Sequence, residues 1–161
     1  MIQRLSGHIN TAQVLKKDQE NNQAIGRSKG GLSTKIHATC DALGNPTSFY
    51  LTPGQDHDLE GADALMNYLT QADAVLADKA YDADERMRKK LQEQGCAIVI
   101  PSRKNRVNPV DYDRETYKFR SLIENFFAKL KQYRAIATRY DKTAQNFLGA
   151  IYIVSSLILL N

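Results

Sequence analysis

The sequence predicts an α/β fold. Three observations carry that prediction. Residues 74–78, 84–94 and 96–100 read as strand, helix and strand, the parallel crossover unit of α/β proteins. Upstream, residues 33–39 and 47–52 read as an antiparallel hairpin joined by a turn. Downstream, two long helical patterns are available to cover a sheet. A chain of 161 residues suits one domain with a sizeable core of its own.

The elements follow in chain order. Residues 1–31 give no convincing element, and the polar, aperiodic run 17–23 reads as a loop or linker. Gly26-Arg-Ser-Lys-Gly-Gly31 is a basic turn without the spacing of a phosphate-cradling loop. Residues 33–39 alternate polar and apolar, as a half-buried strand does. Asp41-Ala-Leu-Gly-Asn-Pro46 is the turn, and residues 47–52 return as the second strand. Residues 59–69 have helical spacing. Residues 74–78 form a short buried strand ending in a carboxylate. Asp84 is placed to N-cap the next helix and Gly95 to end it. After strand 96–100, Pro101 opens a basic, proline-containing loop through Asp113. One amphipathic helix is expected from Glu115 to about Tyr133. A second, from Thr143 to Leu160, is apolar nearly all round and is expected to be buried against the sheet. No internal repeat and no second domain is visible.

Composition narrows the class. With 42% hydrophobic and 25% charged residues, disorder, collagen and coiled coil are excluded. Cys40 and Cys96 make neither a disulfide framework nor a metal cluster, and read as buried thiols in a reducing cytoplasm. The first residues lack a signal-peptide core. The apolar end, from Phe147 to Leu160, falls short of the roughly 20 residues that cross a bilayer, so no membrane partner is expected. The net charge of +4 is unevenly spread. Residues 1–40 carry six basic and two acidic groups, residues 41–100 five and eleven, and residues 101–140 ten and four. A basic stretch beside an acidic one suggests a polyanion partner and a cluster of carboxylates.

The helix after residue 115 holds the most specific pattern. Arg120, Glu124 and Lys131 follow Tyr117 by 3, 7 and 14 residues. At about 100° per residue all four fall within a stripe about 60° wide. Leu122, Ile123, Phe126 and Phe127 lie largely off that stripe and can face the core. The bland account is an exposed face with an i, i+4 ion pair. The functional account is a carboxylate between two cations with an aromatic alongside, suited to a nucleic-acid backbone. Glu124 would hold a divalent metal, Arg120 and Lys131 phosphates, and Tyr117 would stack or hydrogen-bond. Arg103, Lys104 and Arg106 form a further candidate phosphate patch, weighed evenly against a solvated loop. Asp56-His57-Asp58 reads as a structural loop and His37 as a packed strand residue.

Tyr117-Lys-Phe-Arg120-Ser-Leu-Ile-Glu124-Asn-Phe-Phe-Ala-Lys-Leu-Lys131 resembles the signature around the last acidic residue of DDE transposases of bacterial insertion sequences. The likeness is greatest to the insertion sequence 4 and insertion sequence 5 superfamily. Val75-Leu-Ala-Asp78-Lys-Ala-Tyr81-Asp82 is similar to that family's strand-end motif around its second catalytic Asp. Ala24-Ile-Gly-Arg-Ser-Lys-Gly-Gly-Leu-Ser-Thr-Lys-Ile-His37, Leu51-Thr-Pro-Gly-Gln55 with His57-Asp58, and Ile100-Pro-Ser-Arg-Lys-Asn-Arg106 look like family segments too. The resemblance runs from about Ala24 to the end. It implies a ribonuclease H-like mixed sheet with flanking helices, and DNA transposition by metal-dependent phosphoryl transfer. It further implies two Mg²⁺ ions held by three carboxylates, Asp78 being the second and Glu124 the third. DNA, as terminal inverted repeats and target, is the implied partner, with a homodimer as a further expectation. The implied location is the bacterial cytoplasm, at the nucleoid.

One departure matters. The family's first Asp lies on the opening strand, followed by Ser or Gly, then Thr, with a His seven residues after the Asp. His8 matches that His and puts the Asp position at Met1; residues 1–8 hold no Asp and no Thr. The first Asp of the chain is Asp18, in the polar run. The expectation is therefore a divergent or truncated segment over 1–23, a partial catalytic domain over 24–161, and a first strand missing or replaced. A degenerate remnant and a downstream frame completed by frameshifting, with an upstream-frame product as partner, both fit. Two rival functions are a non-catalytic DNA-binding remnant and another ribonuclease H-fold nuclease. The latter would not need the Tyr117, Arg120, Glu124, Lys131 row.

Overall fold

The computed structural model describes residues 2–9, 23–28 and 31–160. Its architecture is mixed α/β. The strands are β1 (Ile2–Ile9), β2 (Gly26–Ser28), β3 (Gly31–Cys40), β4 (Pro46–Pro53), β5 (Ala74–Leu76), β6 (Ala97–Val99) and β7 (Thr138–Arg139). The helices are α1 (Asp58–Met66), α2 (Lys89–Glu93), α3 (Arg114–Tyr117), α4 (Ser121–Gln132), α5 (Arg134–Ala137) and α6 (Ala144–Leu160).

The hairpin forms as expected. β3 and β4 pair antiparallel from Thr34 opposite Pro53 to Cys40 opposite Pro46. Its turn is built by Asp41, whose Oδ1 accepts from the N–H groups of Leu43 and Asn45, both at 2.9 Å. Gly44 takes the left-handed conformation that closes the turn, at φ 89°. β3 is the hub of the sheet. Its other edge pairs antiparallel with β1, and β1 pairs parallel with β7.

β1 corrects the expectation of no element before residue 31. A strand of the chain's own sequence, Ile2–Ile9, pairs with β3. Its sequence, Ile-Gln-Arg-Leu-Ser-Gly-His-Ile, breaks strict alternation and contains Gly7, so pairing rather than local pattern defines it. β2 likewise pairs with the start of β3. Most of the polar run 17–23, including Asp18, lies outside the described residues.

The crossover unit is also present. β5 and β6 run parallel, with Ala74, Val75 and Leu76 opposite Ala97, Ile98 and Val99. They form a ladder of their own, separate from the larger sheet. Packing nevertheless continues one layer. Val75 and Ala77 join a core with Leu59, Leu65, Tyr81, Met87 and Leu91. Leu76 and Val99 turn to the opposite core, with Ile36, Phe49, Ile123, Phe126, Phe127 and Phe147. Helices α1 and α2 thus cover one face, and α4 and α6 the other.

Four further expectations change. β3 was expected to be half-exposed; from Ser33 onward both its faces are buried. Its polar face lies beneath α1: the Lys35 ammonium meets the Asp58 carboxylate at 3.0 Å and His37 Nε2 meets Thr52 Oγ1 at 2.8 Å. His37 is thus a packed residue, as read from the sequence. Second, Asp84 does not N-cap the next helix. It is the first residue of a π-type turn, Asp84–Arg88, leading into α2, while Gly95 ends the helix at φ 71°. Third, the helix after Glu115 is not uniform: a 3₁₀ turn, Lys118–Arg120, separates α3 from α4. Fourth, α6 buries only Phe147, Ile151 and Ser155, one stripe at i, i+4, i+8. Tyr152, Ile153, Leu157 and Leu160 remain 44–83% exposed. No described helix is long and apolar enough to cross a membrane.

Arg139 is the largest fully buried side chain, 1% exposed. Its Nη1 donates to Thr34 Oγ1 at 2.7 Å and to the Ala24 carbonyl at 3.4 Å. Its Nε donates to the Asp141 carbonyl at 2.9 Å, and its guanidinium lies 4.8 Å from the centre of the Phe147 ring. Burial pulls its pKa down to about 10, against the opposing charge of Asp141.

Candidate active site

Asp78 stands just past the end of β5, where a crossover strand delivers a side chain to the rim of the layer. It caps a 3₁₀ turn, Lys79–Tyr81, its Oδ1 accepting from the Ala80 N–H at 2.6 Å. That fixes the carboxylate without taking up its second oxygen.

The helical stripe is carried by α3, the 3₁₀ turn Lys118–Arg120 and α4. The Arg120 guanidinium sits 5.3 Å from the centre of the Tyr117 ring and bridges to Glu124 Oε1 at 2.7 Å. The 3₁₀ turn explains the stack. At three residues per turn, positions i and i+3 eclipse, so Arg120 lies over Tyr117 instead of about 60° round the helix. Burial raises the Tyr117 hydroxyl pKa; Arg120 opposes this and the charge of Asp78 reinforces it. The Asp78 charge thus acts on Tyr117, whose ring Arg120 links to Glu124. Arg120 Nε is buried with no hydrogen-bond partner among the described residues. Lys131, two turns beyond Glu124, is exposed on the same helix. Its phase from Glu124 is about −20°, so it continues the stripe.

The basic loop behaves differently from the sequence expectation. Arg103 donates from Nη2 to the Ala80 carbonyl at 2.6 Å and from Nε to the Lys79 carbonyl at 3.2 Å. Arg106 donates from Nη1 to Asp82 Oδ1 at 2.8 Å, bridges to Asp84, and from Nε reaches the Asn108 carbonyl at 2.8 Å. Both arginines thus make several hydrogen bonds and ion pairs within the protein. Lys104 alone of the three is exposed and has no hydrogen bond or ion pair among the described residues. Asp78, Lys79, Ala80, Arg103, Lys104 and Asn105 line an open cavity of ≈ 350 Å³.

The group that sequence reasoning passed over is Asp82. Its side chain is 1% exposed and accepts from Arg88 Nε and Arg106 Nη1, each at 2.8 Å, and from the Arg103 N–H at 2.9 Å. Burial pushes its carboxyl up, but the Arg103 N–H, Arg88 and Arg106 together hold it below the usual range. The partners lie 6, 21 and 24 residues away, separations that leave no periodic signal. Asp56-His57-Asp58 is structural, as expected: His57 Nδ1 accepts from the Leu59 N–H at 3.2 Å and caps α1. Cys40 and Cys96 are buried, and neither is in a disulfide among the described residues.

Asp78 and Glu124 offer the oxygen donors that a hard divalent cation takes. They do not complete a site: no group of three or more His, Cys, Asp or Glu able to hold a metal is gathered among the described residues. β1, next to the hub strand, carries no Asp or Glu.

A family profile described as Transposase DDE domain matches residues 6–159. The chain belongs to the DDE transposase family. A curated protein of Brucella ovis, named as a candidate transposase for insertion sequence element IS6501, is 38% identical over 130 residues, covering 79% of this chain and 98% of that protein. No solved structure matches the chain. The transposase profile runs from within β1 into the last turn of α6, including the Asp78 turn and the Tyr117–Glu124 row. The family uses divalent metal in general.

Proposed function

We propose that this transposase domain holds a phosphoryl-transfer site for DNA, with Asp78 and Glu124 as two of its metal-binding carboxylates. The observation that carries this is the row in which Arg120 joins Tyr117 to Glu124 while the charge of Asp78 reaches Tyr117. When bound there, Mg²⁺ would supply Lewis-acid stabilisation of a phosphodiester. The chain's own groups do the rest. Arg120 orients Glu124, Tyr117 stacks against the Arg120 guanidinium, and Lys131 and Lys104 attract phosphates. The layered packing on both faces of β5 and β6 supports a ribonuclease H-like fold.

Because β1 lacks a carboxylate, the described chain supplies two of the three expected ligands. Purified alone with Mg²⁺ or Mn²⁺, it is expected to bind duplex DNA in a salt-dependent manner and to leave supercoiled plasmid uncut. Robust cleavage abolished by Glu124→Gln would refute the short ligand set. Absence of DNA binding at low salt would refute the site assignment itself. The bare β1 also favours a second reading, a DNA-binding module without catalysis. On that reading Glu124→Gln leaves DNA binding insensitive to added Mg²⁺, as in the parent.

A further inference from the structure

The Asp82 cluster is more elaborate than a turn requires. Two guanidinium groups and one backbone N–H converge on a single buried carboxylate. Arg88 then ties the cluster to the end of the β6 segment, donating from Nη2 to the Ile100 carbonyl at 2.7 Å. Arg103 ties it to the turn that follows Asp78, through the carbonyls of Lys79 and Ala80. Arg106 reaches both Asp82 and Asp84. Three of the basic residues near the site are therefore spent internally. Two lysines are not: Lys79 and Lys104 are exposed, without partners among the described residues, and both line the cavity that contains Asp78.

We propose that Asp82 is a positioning residue: it clamps the 103–106 loop to the Asp78 turn and thereby sets Lys79 and Lys104 as a cradle for a phosphodiester group beside Asp78. The inference rests on the reading of this face as DNA-facing. The charges give the cradle its selectivity. Two ammonium groups near one carboxylate attract a phosphate, and Asn105 adds a neutral amide donor. Without Asp82, the loop keeps the Arg103 bonds to the Lys79 and Ala80 carbonyls and the Arg106–Asp84 pair, but it loses the carboxylate that holds both the Arg103 N–H and Arg106, and Lys104 is held less firmly over the cavity.

The clamp and plain electrostatics predict opposite signs. Asp82→Asn removes a negative charge near DNA, so long-range attraction alone makes it bind DNA more tightly. The clamp makes it bind more weakly. Affinity for a short duplex, measured by fluorescence anisotropy across a salt series, decides between them. Lys104→Ala is expected to weaken binding about threefold to tenfold and to lower the slope of log K against log salt by about 0.9, the loss of one phosphate contact. Asp82→Asn is expected to weaken binding to a similar degree, and Lys104→Ala added to it to change affinity less than about twofold. Tighter binding by Asp82→Asn, or full additivity with Lys104→Ala, overturns the proposal.

Asp82→Asn leaves Arg88 buried beside a neutral group and can fail to fold. Arg106→Lys covers that case, because it keeps the charge but cannot bridge Asp82, Asp84 and the Asn108 carbonyl together. The clamp requires Arg106→Lys to bind as weakly as Lys104→Ala; binding equal to the parent overturns it. If the parent binds no DNA, the underlying reading fails. If the parent binds and Lys104 matters independently of Asp82 and Arg106, only the clamp fails.

Discussion

Gly61→Ala tests the packing that carries the Asp78 turn. Gly61 lies in α1 where the helix crosses β3. A Cβ built there would meet the His37 ring at 2.2 Å from Cγ and 2.3 Å from Nδ1. The ring is fully buried and held through Nε2 by Thr52. Two effects oppose. Alanine in a helix interior gains about 1 kcal/mol over glycine. Overpacking a rigid core costs about 1–3 kcal/mol, and a contact this short belongs at the upper end. The net expectation is destabilisation by about 2 kcal/mol. For a chain of this length that lowers Tm by about 4–8 °C. Urea unfolding followed by circular dichroism measures it. In a His37→Ala background the obstacle is gone, and Gly61→Ala should raise stability by about 1 kcal/mol instead. A stabilising Gly61→Ala in the unmodified chain would refute the close approach of α1 to β3.

Arg139→Met should cost about 1–3 kcal/mol, because it removes the buried bonds from Nη1 to Thr34 Oγ1 and from Nε to the Asp141 carbonyl, while Thr34 Oγ1 still donates to the Ala24 carbonyl at 2.6 Å. Its bonds to Thr34 and Ala24 join segments 105 and 115 residues apart, so stopped-flow kinetics should show the loss mainly as faster unfolding. The pKa of Asp82 is lowered in the folded state, so its stabilisation is present above the ordinary value of 3.8 and lost as pH falls through the folded value. Urea midpoints should therefore fall below about pH 4 and fall less steeply in Asp82→Asn. An unchanged acid limb in that variant would contradict the assignment.

Features set by neighbours in the chain were legible. The β3–β4 turn follows from Asp41, Gly44 and Asn45, and the crossover from short apolar runs closed by Gly95. Arg120 and Glu124 were found because i, i+4 pairing leaves a spacing signal. Features set by distant partners were not. β1 is defined by β3 and β7, not by its own alternation. The burial of Lys35 and His37 depends on α1 lying over them. Arg103 and Arg106 read as a basic patch because their acceptors, Asp82 and the turn after Asp78, lie more than twenty residues away. The exposed side of α6 misled for another reason: apolar content shows what a helix can bury, not how much sheet is available to receive it.

That bare side of α6 also governs how the molecule behaves in bulk solution. From Ala144 to Leu160 the helix carries no ionisable Asp, Glu, Lys or Arg. Colloidal repulsion between copies must come from elsewhere, from a net charge of only +4. As pH climbs toward the isoelectric point, ≈ 9.0, that repulsion vanishes while Tyr152, Ile153, Leu157 and Leu160 stay as they are. The chain's solubility should be lowest there, and a single Lys in place of Ile153 should recover it without touching the core.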